Sequence, residues 1–89
     1  MQRDIRHFAS FSFWACFEKL PAQIQKLANK NFNLLKKNPL HPSLHFKKAG
    51  KYCSVRVGKR YRALGVEIER GIVWFWIGTH TEYDKLLRG

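Results

Sequence analysis

The sequence predicts an α+β domain: two N-terminal helices packed on a twisted antiparallel sheet, finished by a short C-terminal helix. Three observations carry this. An apolar stripe of helical period runs from Ile24 to Leu35, two-residue alternation takes over at Tyr52, and the two patterns are segregated rather than interleaved. With 89 residues the chain makes one domain, residues 1–89. A domain this small buries only roughly 60–65% of its unfolded surface, so it needs one well-filled core. Apolar residues at 45% and thirteen aromatics supply that core and argue against disorder.

The elements follow in order. Asp4–Phe8 is a candidate edge strand. Ser12 offers an N-cap, with Phe13, Trp14 and Phe17 on one side of a short helix ending near Leu20-Pro21. Pro21 suits the first turn of a second helix. There Ile24, Leu27, Ala28, Phe32 and Leu35 form the stripe, with Leu34 beside Leu27, while Gln23, Lys26, Lys30, Asn33 and Lys37 face away. Asn38-Pro39 and His41-Pro42 stop it. Leu44–Phe46 is a candidate short strand, and Lys47-Lys48-Ala49-Gly50-Lys51 a basic turn. In Tyr52–Val57, Cys53, Val55 and Val57 share one face; Tyr52, Ser54 and Arg56 share the other. Gly58-Lys59 marks a turn, Tyr61–Glu69 the next strand and Arg70-Gly71 a tight hairpin. Ile72–Ile77 is apolar on both faces, as in a central strand covered on both sides, and Trp74 and Trp76 read as core there. Gly78 ends it, and Thr79 caps a last helix carrying Tyr83, Leu86 and Leu87. The long helix should cover one sheet face and leave the Arg56 face as an open basic concavity.

Charge narrows the class of function. The formal net charge is +11, and from Lys19 to Val66 there are twelve Lys or Arg and no Asp or Glu. Such a field suits nucleic acid, an anionic membrane or an acidic protein. The longest apolar run, Ile72–Ile77, is far short of the ~20 residues of a membrane helix, and Arg3, Asp4 and Arg6 are followed by no signal-peptide core. The expectation is a soluble, cytoplasmic protein. Cys16 and Cys53 read as buried or half-buried small residues rather than a bridge. His7, His41 and His45 fall in no ligand pattern, so no metal or cofactor is expected.

Ser54-Val55-Arg56-Val57-Gly58, Tyr61-Arg62-Ala63-Leu64 and Trp76-Ile77-Gly78-Thr79-His80-Thr81-Glu82-Tyr83-Asp84 follow one another with a spacing that resembles the RelE/ParE toxin superfamily. The Leu20-Pro21 joint, the Leu34-Leu35…Asn38-Pro39 helix end and His41-Pro42-Ser43-Leu44 fit too, so the resemblance spans about Phe13 to Leu87. The Gly-Thr-His-x-Glu-Tyr-Asp ending is most similar to the HigB-like branch. The resemblance implies a compact type II toxin restrained by a cognate antitoxin. For many members it also implies cleavage of mRNA on the ribosome.

Residue chemistry points to the same place. In RNA cleavage without a metal, the 2′-oxygen attacks the adjacent phosphorus in line with the leaving 5′-oxygen. That step wants cations around the phosphate and a group to move protons. Arg56 and Arg62, on neighbouring strands, can each grip phosphate oxygens bidentately. His80 supplies an imidazole as general acid or base. Tyr83, one helical turn on, is read as stacking on a base or donating to a phosphate. Lys47, Lys48, Lys51, Lys59 and Arg60 are read as electrostatic footing for RNA.

Each residue also has a plainer reading that the sequence leaves open. Arg56 and Arg62 fit solvated arginines pairing with Glu67 or Glu69. His80 fits a helix-start cap, Tyr83 a packing residue, and the lysines a solvated turn. Some superfamily members carry two lysines on the strand that here reads Cys53-Ser54-Val55-Arg56, and an arginine is frequent where His80 stands. Alternation also puts Arg62 on the face of Leu64, Val66 and Ile68. Either a bulge near Lys59–Tyr61 resets the register, or Arg62 lies beyond the core edge. Two rival functions stay open: a ParE-like inhibitor that blocks DNA gyrase, and an inactive RNA-binding relative. An acidic antitoxin that folds as it wraps the basic surface suits either toxin class.

Overall fold

A computed structural model of the chain describes residues 5–88. In order, the elements are β1 (Arg6–Ala9), α1 (Phe11–Glu18), α2 (Ala22–Lys37), a 3-10 turn (Pro42–Leu44), β2 (Lys47–Ala49), β3 (Tyr52–Val57), β4 (Tyr61–Ile68), β5 (Gly71–Thr79) and α3 (His80–Arg88). The architecture is α+β: three helices on one five-stranded sheet of order β1-β5-β4-β3-β2.

The edge strand forms over Arg6–Ala9; Asp4 lies outside the described residues. It runs parallel to β5, with Arg6 opposite Gly71, so the sheet is mixed where an antiparallel one is expected. Neighbours from β2 to β5 are joined by short turns and must be antiparallel. β1 reaches β5 only through everything between them, so no hairpin dictates its direction. Glycine permits the close approach: a Cβ at Gly71 would sit 1.9 Å from the Arg6 carbonyl oxygen.

Ser10, not Ser12, caps α1, accepting from the Phe13 N–H at 3.3 Å. Ser12 instead donates to the Phe75 carbonyl at 2.8 Å and ties α1 to β5. Phe13, Ala28 and Leu35 from the two helices bury against Val55, Val57, Ala63, Ile72, Trp74 and Ile77 of the sheet. Each large side chain buried this way contributes about 1.5–3 kcal/mol. At the edge of this core the Trp74 indole N–H donates to His7 Nδ1 at 3.1 Å. Burial, and then Lys36, hold the His7 pKa below its ordinary 6.5.

Pro42 brings no N–H to a strand ladder, and His41 Nδ1 accepts from the Ser43 N–H. The chain therefore coils over Pro42–Leu44 where a strand at Leu44–Phe46 is expected. β2 begins at Lys47, which makes Lys47 and Lys48 strand residues; the turn proper is Gly50-Lys51, with Gly50 at φ 63°.

The Arg56 face is not an open concavity. α3 packs against it, and Ser54, Leu64 and Tyr83 are buried there. Alternation along β4 is unbroken, with Arg62 opposite Arg56 and Leu64 opposite Ser54. No bulge near Lys59–Tyr61 is needed, because Leu64 is buried under α3 and not under α2. The irregularity lies in β5, where Leu64 faces Trp76 but Gly65 faces Trp74. The extra residue, Phe75, turns the two tryptophans to opposite faces. Trp74 is core, 2% exposed, while Trp76 is half-buried on the α3 face.

Cys16 is half-buried and Cys53 buried, both as free thiols, and burial pushes the Cys53 thiol up. No helix among the described residues is long and apolar enough to cross a membrane.

Candidate functional site

Three strand ends meet at one edge of the sheet: the end of β3, the start of β4 and the end of β5. The β3–β4 turn is tight because Gly58 takes φ 66° with Leu27 packed beneath it. The turn sets Arg56 and Arg62 directly opposite each other. Arg56 Nε donates to the Gly58 carbonyl at 2.9 Å, and Arg62 Nη1 to the Tyr61 carbonyl at 3.0 Å. Among the described residues neither guanidinium pairs with a carboxylate, and Glu67 is taken by Lys48. Burial, then Arg56, hold Arg62 below the usual guanidinium range, with Tyr83 and Asp84 pulling the other way. Arg62 still stays charged. Like charges directly opposed on neighbouring strands are destabilising, so this pair carries a locally unbalanced positive field.

His80 is set by a capping box. Thr79 Oγ1 accepts from the Glu82 N–H at 3.2 Å, and Glu82 accepts in return from the Thr79 N–H at 3.0 Å. The Thr79 N–H, then its hydroxyl, hold the Glu82 carboxyl below its ordinary range. The His80 N–H donates to the Arg60 carbonyl at 2.7 Å, joining the start of α3 to the turn. Asp84 Oδ2 lies 3.1 Å from His80 Nδ1, one helical turn on. That pairing orients the ring, the arrangement of a proton-transferring imidazole with its orienting group. His80 is exposed enough to meet a substrate.

Tyr83 does not face the site with an open ring. It is 5% exposed, and its hydroxyl is buried without a partner. It does lie close to His80, with ring centroids 5.8 Å apart, but it serves to seat α3 on the sheet rather than to stack on a base. The basic footing also divides. Lys59 and Arg60 are exposed in the turn beside the arginine pair. Lys47 lies opposite Ser54 on the arginine face. Lys51 sits at the far hairpin, 5.5 Å over the Tyr52 ring. Lys48 lies opposite Cys53, on the other face, and is paired with Glu67.

Two further residues belong to the site that the sequence does not single out. Asp84 is within reach of sequence reasoning, since i,i+4 spacing from His80 places the two on one helix face. His45 is not. It precedes β2, with Nε2 3.3 Å from Arg56 Nη1, and only the fold brings them together. Among the described residues no group of three His, Cys, Asp or Glu could hold a metal ion.

Comparison with known proteins agrees with this fold. A search of curated protein sequences finds no match. Solved structures are similar in fold. RelE in the RelB–RelE antitoxin–toxin complex of Methanococcus jannaschii superposes with a TM-score of 0.69 at 17% identity, covering 89% of this chain and 96% of that one. YafQ from Escherichia coli strain BL21(DE3) gives 0.68 at 16%, covering 92% and 98%. A YoeB/ParE toxin from Agrobacterium tumefaciens gives 0.65 at 14%, covering 85% and 99%. The model of the ParE-like toxin domain matches residues 22–85, from the start of α2 through His80 and Asp84 into α3. With most of the chain inside that match, this protein belongs to the ParE-like toxin domain family of the RelE/ParE superfamily.

Proposed function

We propose that this toxin is an endoribonuclease that cuts mRNA on the ribosome, with Arg56 and Arg62 gripping the scissile phosphate and His80 moving a proton. The observation that supports this most is the directly opposed arginine pair, unmatched by any described carboxylate, beside an imidazole fixed by Asp84. A phosphorane gathers negative charge as it forms, and two guanidiniums held in place need no reorganisation to meet it. Lys59 and Arg60 extend the same field along the RNA. Tyr83 contributes by packing, holding the helix that carries His80.

The archaeal relative's partnership with an antitoxin carries over to this reading. The basic surface suits an acidic antitoxin, and Phe8, Val66, Ile68, Leu86 and Leu87 leave apolar surface for such a segment to cover. The HigB-like branch rests on the motif from Gly78 to Asp84, and the cytoplasmic setting on translating ribosomes as the target.

The test is cleavage of mRNA by purified toxin on programmed ribosomes. Wild type should cut within the ribosome-occupied region, and His80→Gln should cut about 10²-fold more slowly or worse, with antitoxin affinity kept. Intact mRNA together with lost gyrase supercoiling would make the protein a gyrase inhibitor instead. RNA binding with neither effect would make it an inactive relative.

A further inference from the structure

α2 turns Leu27, Lys30, Asn31 and Leu34 to one side, because residues three, four and seven apart share a helix face. The helix packs on β3, whose far end is open. Among the described residues β2 pairs only with residues 52–54, so residues 55–57 have β4 on one flank and no strand on the other. Asn31 closes part of this edge, its Nδ2 donating to the Arg56 carbonyl at 3.2 Å. Between α2, the β3–β4 turn and the loop at residues 41–43 a groove of about 640 Å³ remains. The loop is a preformed wall, with His41 Nδ1 accepting from the Ser43 N–H at 3.2 Å.

The lining is chemically divided. Leu27 and Leu34 are half-buried and give an apolar floor, with Leu27 packed beneath Gly58. Lys30 and Lys59 stand exposed at the rim, and Arg56 lines the groove as well. No carboxylate does, since every lining residue falls in the acid-free stretch between Lys19 and Val66. A carbonyl only accepts, so the Asn31 amide faces Arg56 with its nitrogen and keeps Oδ1 as a spare acceptor. A fitting occupant has an apolar face, a negative charge and an N–H to donate. A nucleotide supplies all three, in the face of its base, its phosphate and the edge of its base. An acidic peptide supplies the charge and apolar surface too, and continuity decides between them. Arg56 lines the groove and is also half of the opposed arginine pair, so a strand gripped by the pair has its next unit beside the groove.

We infer that this groove is a subsite for one RNA nucleotide, the neighbour of the one whose phosphate the arginine pair holds. The base lies on Leu27 and Leu34, Lys30 and Lys59 meet its phosphate, and Asn31 Oδ1 accepts from the base edge. That the RNA is mRNA rests on the nuclease reading above; that the groove takes a nucleotide does not.

The experiment has two arms. In the first, purified wild type is titrated with AMP, CMP, GMP and UMP, and separately with inorganic phosphate. NMR follows the leucine methyls, the asparagine side-chain amides and the arginine Nε–H groups. At least one nucleotide should shift the Leu27 and Leu34 methyls together with the Asn31 amide. Inorganic phosphate should move Arg56 and Arg62 and leave those two methyls in place. Nucleotides that act only as inorganic phosphate does overturn the subsite. In the second arm, ribosomes carry mRNA with a 2′-deoxy residue at the cut position, which removes the attacking hydroxyl, and 4-thiouridine on its 5′ or its 3′ side. One of the two mRNAs should crosslink to the toxin within residues 27–34 or 41–43. Crosslinks confined to other segments overturn mRNA as the occupant and leave the groove to ribosomal RNA or an acidic antitoxin. Lys30→Glu should fold normally, being exposed, and lower the logarithmic salt slope of RNA binding by about 0.7, the share of one phosphate. An unchanged slope overturns the phosphate contact. Wild type that cuts no ribosome-bound mRNA overturns the nuclease reading itself, and the nucleotide titration then still decides the groove.

Discussion

The strands β2 to β4 carry cations at both ends, and the two ends are built on opposite plans. At the end near β2's turn, Lys48 and Glu67 neutralise each other on the exposed surface; each holds the other charged, Lys48 above and Glu67 below its ordinary pKa. At the other end Arg56 faces Arg62, and burial and repulsion pull Arg62 down. An exposed ion pair is worth little to stability and projects little field. An opposed arginine pair costs stability and projects a strong one. A net charge of +11 therefore says less than which cations are left unmatched.

The contrast can be broken most directly at Arg62. Arg62→Ala should slow cleavage by roughly 10²–10³-fold, the effect of losing one preorganised charge-stabilising donor. Its unfolding midpoint should hold or rise, because repulsion with Arg56 is relieved; a marked loss of stability would make the arginine structural. Lysine at this position should restore activity only in part, lacking the planar fork.

Tyr83 sharpens the comparison by testing what holds the arginine end together. Tyr83→Ala should destabilise the fold by about 3–5 kcal/mol, and activity should fall with it, since α3 carries His80. Tyr83→Phe should be neutral or slightly stabilising, because the buried hydroxyl has no partner to lose. Denaturant titration separates the two, and a damaging phenylalanine would reveal a hidden role for the hydroxyl.

Salt dependence tests the footing. Reversing Lys59 and Arg60 to Glu should lower RNA affinity and reduce the logarithmic salt slope by roughly 1.4, about 0.7 for each phosphate no longer neutralised. Lys48→Glu should leave the slope almost unchanged. Equal slopes for both variants would erase the difference between the two ends.

The smallest effect is a pH dependence of stability set by His7. Its folded pKa lies below 6.5, so the unfolded chain takes up the proton first. Stability is fully present above about pH 6.5 and falls as pH drops from there toward the depressed folded value. His7→Phe should flatten that dependence in unfolding measured between pH 7.5 and 5. An unchanged slope would assign it to another group.

Local pattern makes much of the molecule legible. The stripe of α2, the alternation of Tyr52–Val57 and the Thr79 cap each depend on a few neighbouring residues. Arg56, Arg62 and His80 are brought to one edge as the sequence suggests. What escapes pattern depends on residues far apart in sequence. Leu64 and Phe75 read alike on either sheet face, since both faces are apolar, so neither α3's coverage nor the bulge can be placed from periodicity. Tyr83 reads as accessible because its burial needs the sheet beneath it. Lys48 reads like its neighbours because its partner, Glu67, is two strands away. His45 has no periodic signal at all; its meaning comes from an Arg56 eleven positions later.

The parallel pairing of β1 with β5 also sets an order of events in synthesis. Arg6 and Gly71 are separated by 65 positions, and α3 with His80 follows β5 directly. Closing so long a loop is slow and cannot begin until the last strand exists. A domain leaving the ribosome therefore holds its first strand unpaired and its histidine helix unmade until nearly the whole domain has been translated. The end of the domain that holds the opposed arginines is thus the last part of the fold to be completed, whatever the rate at which the earlier elements form.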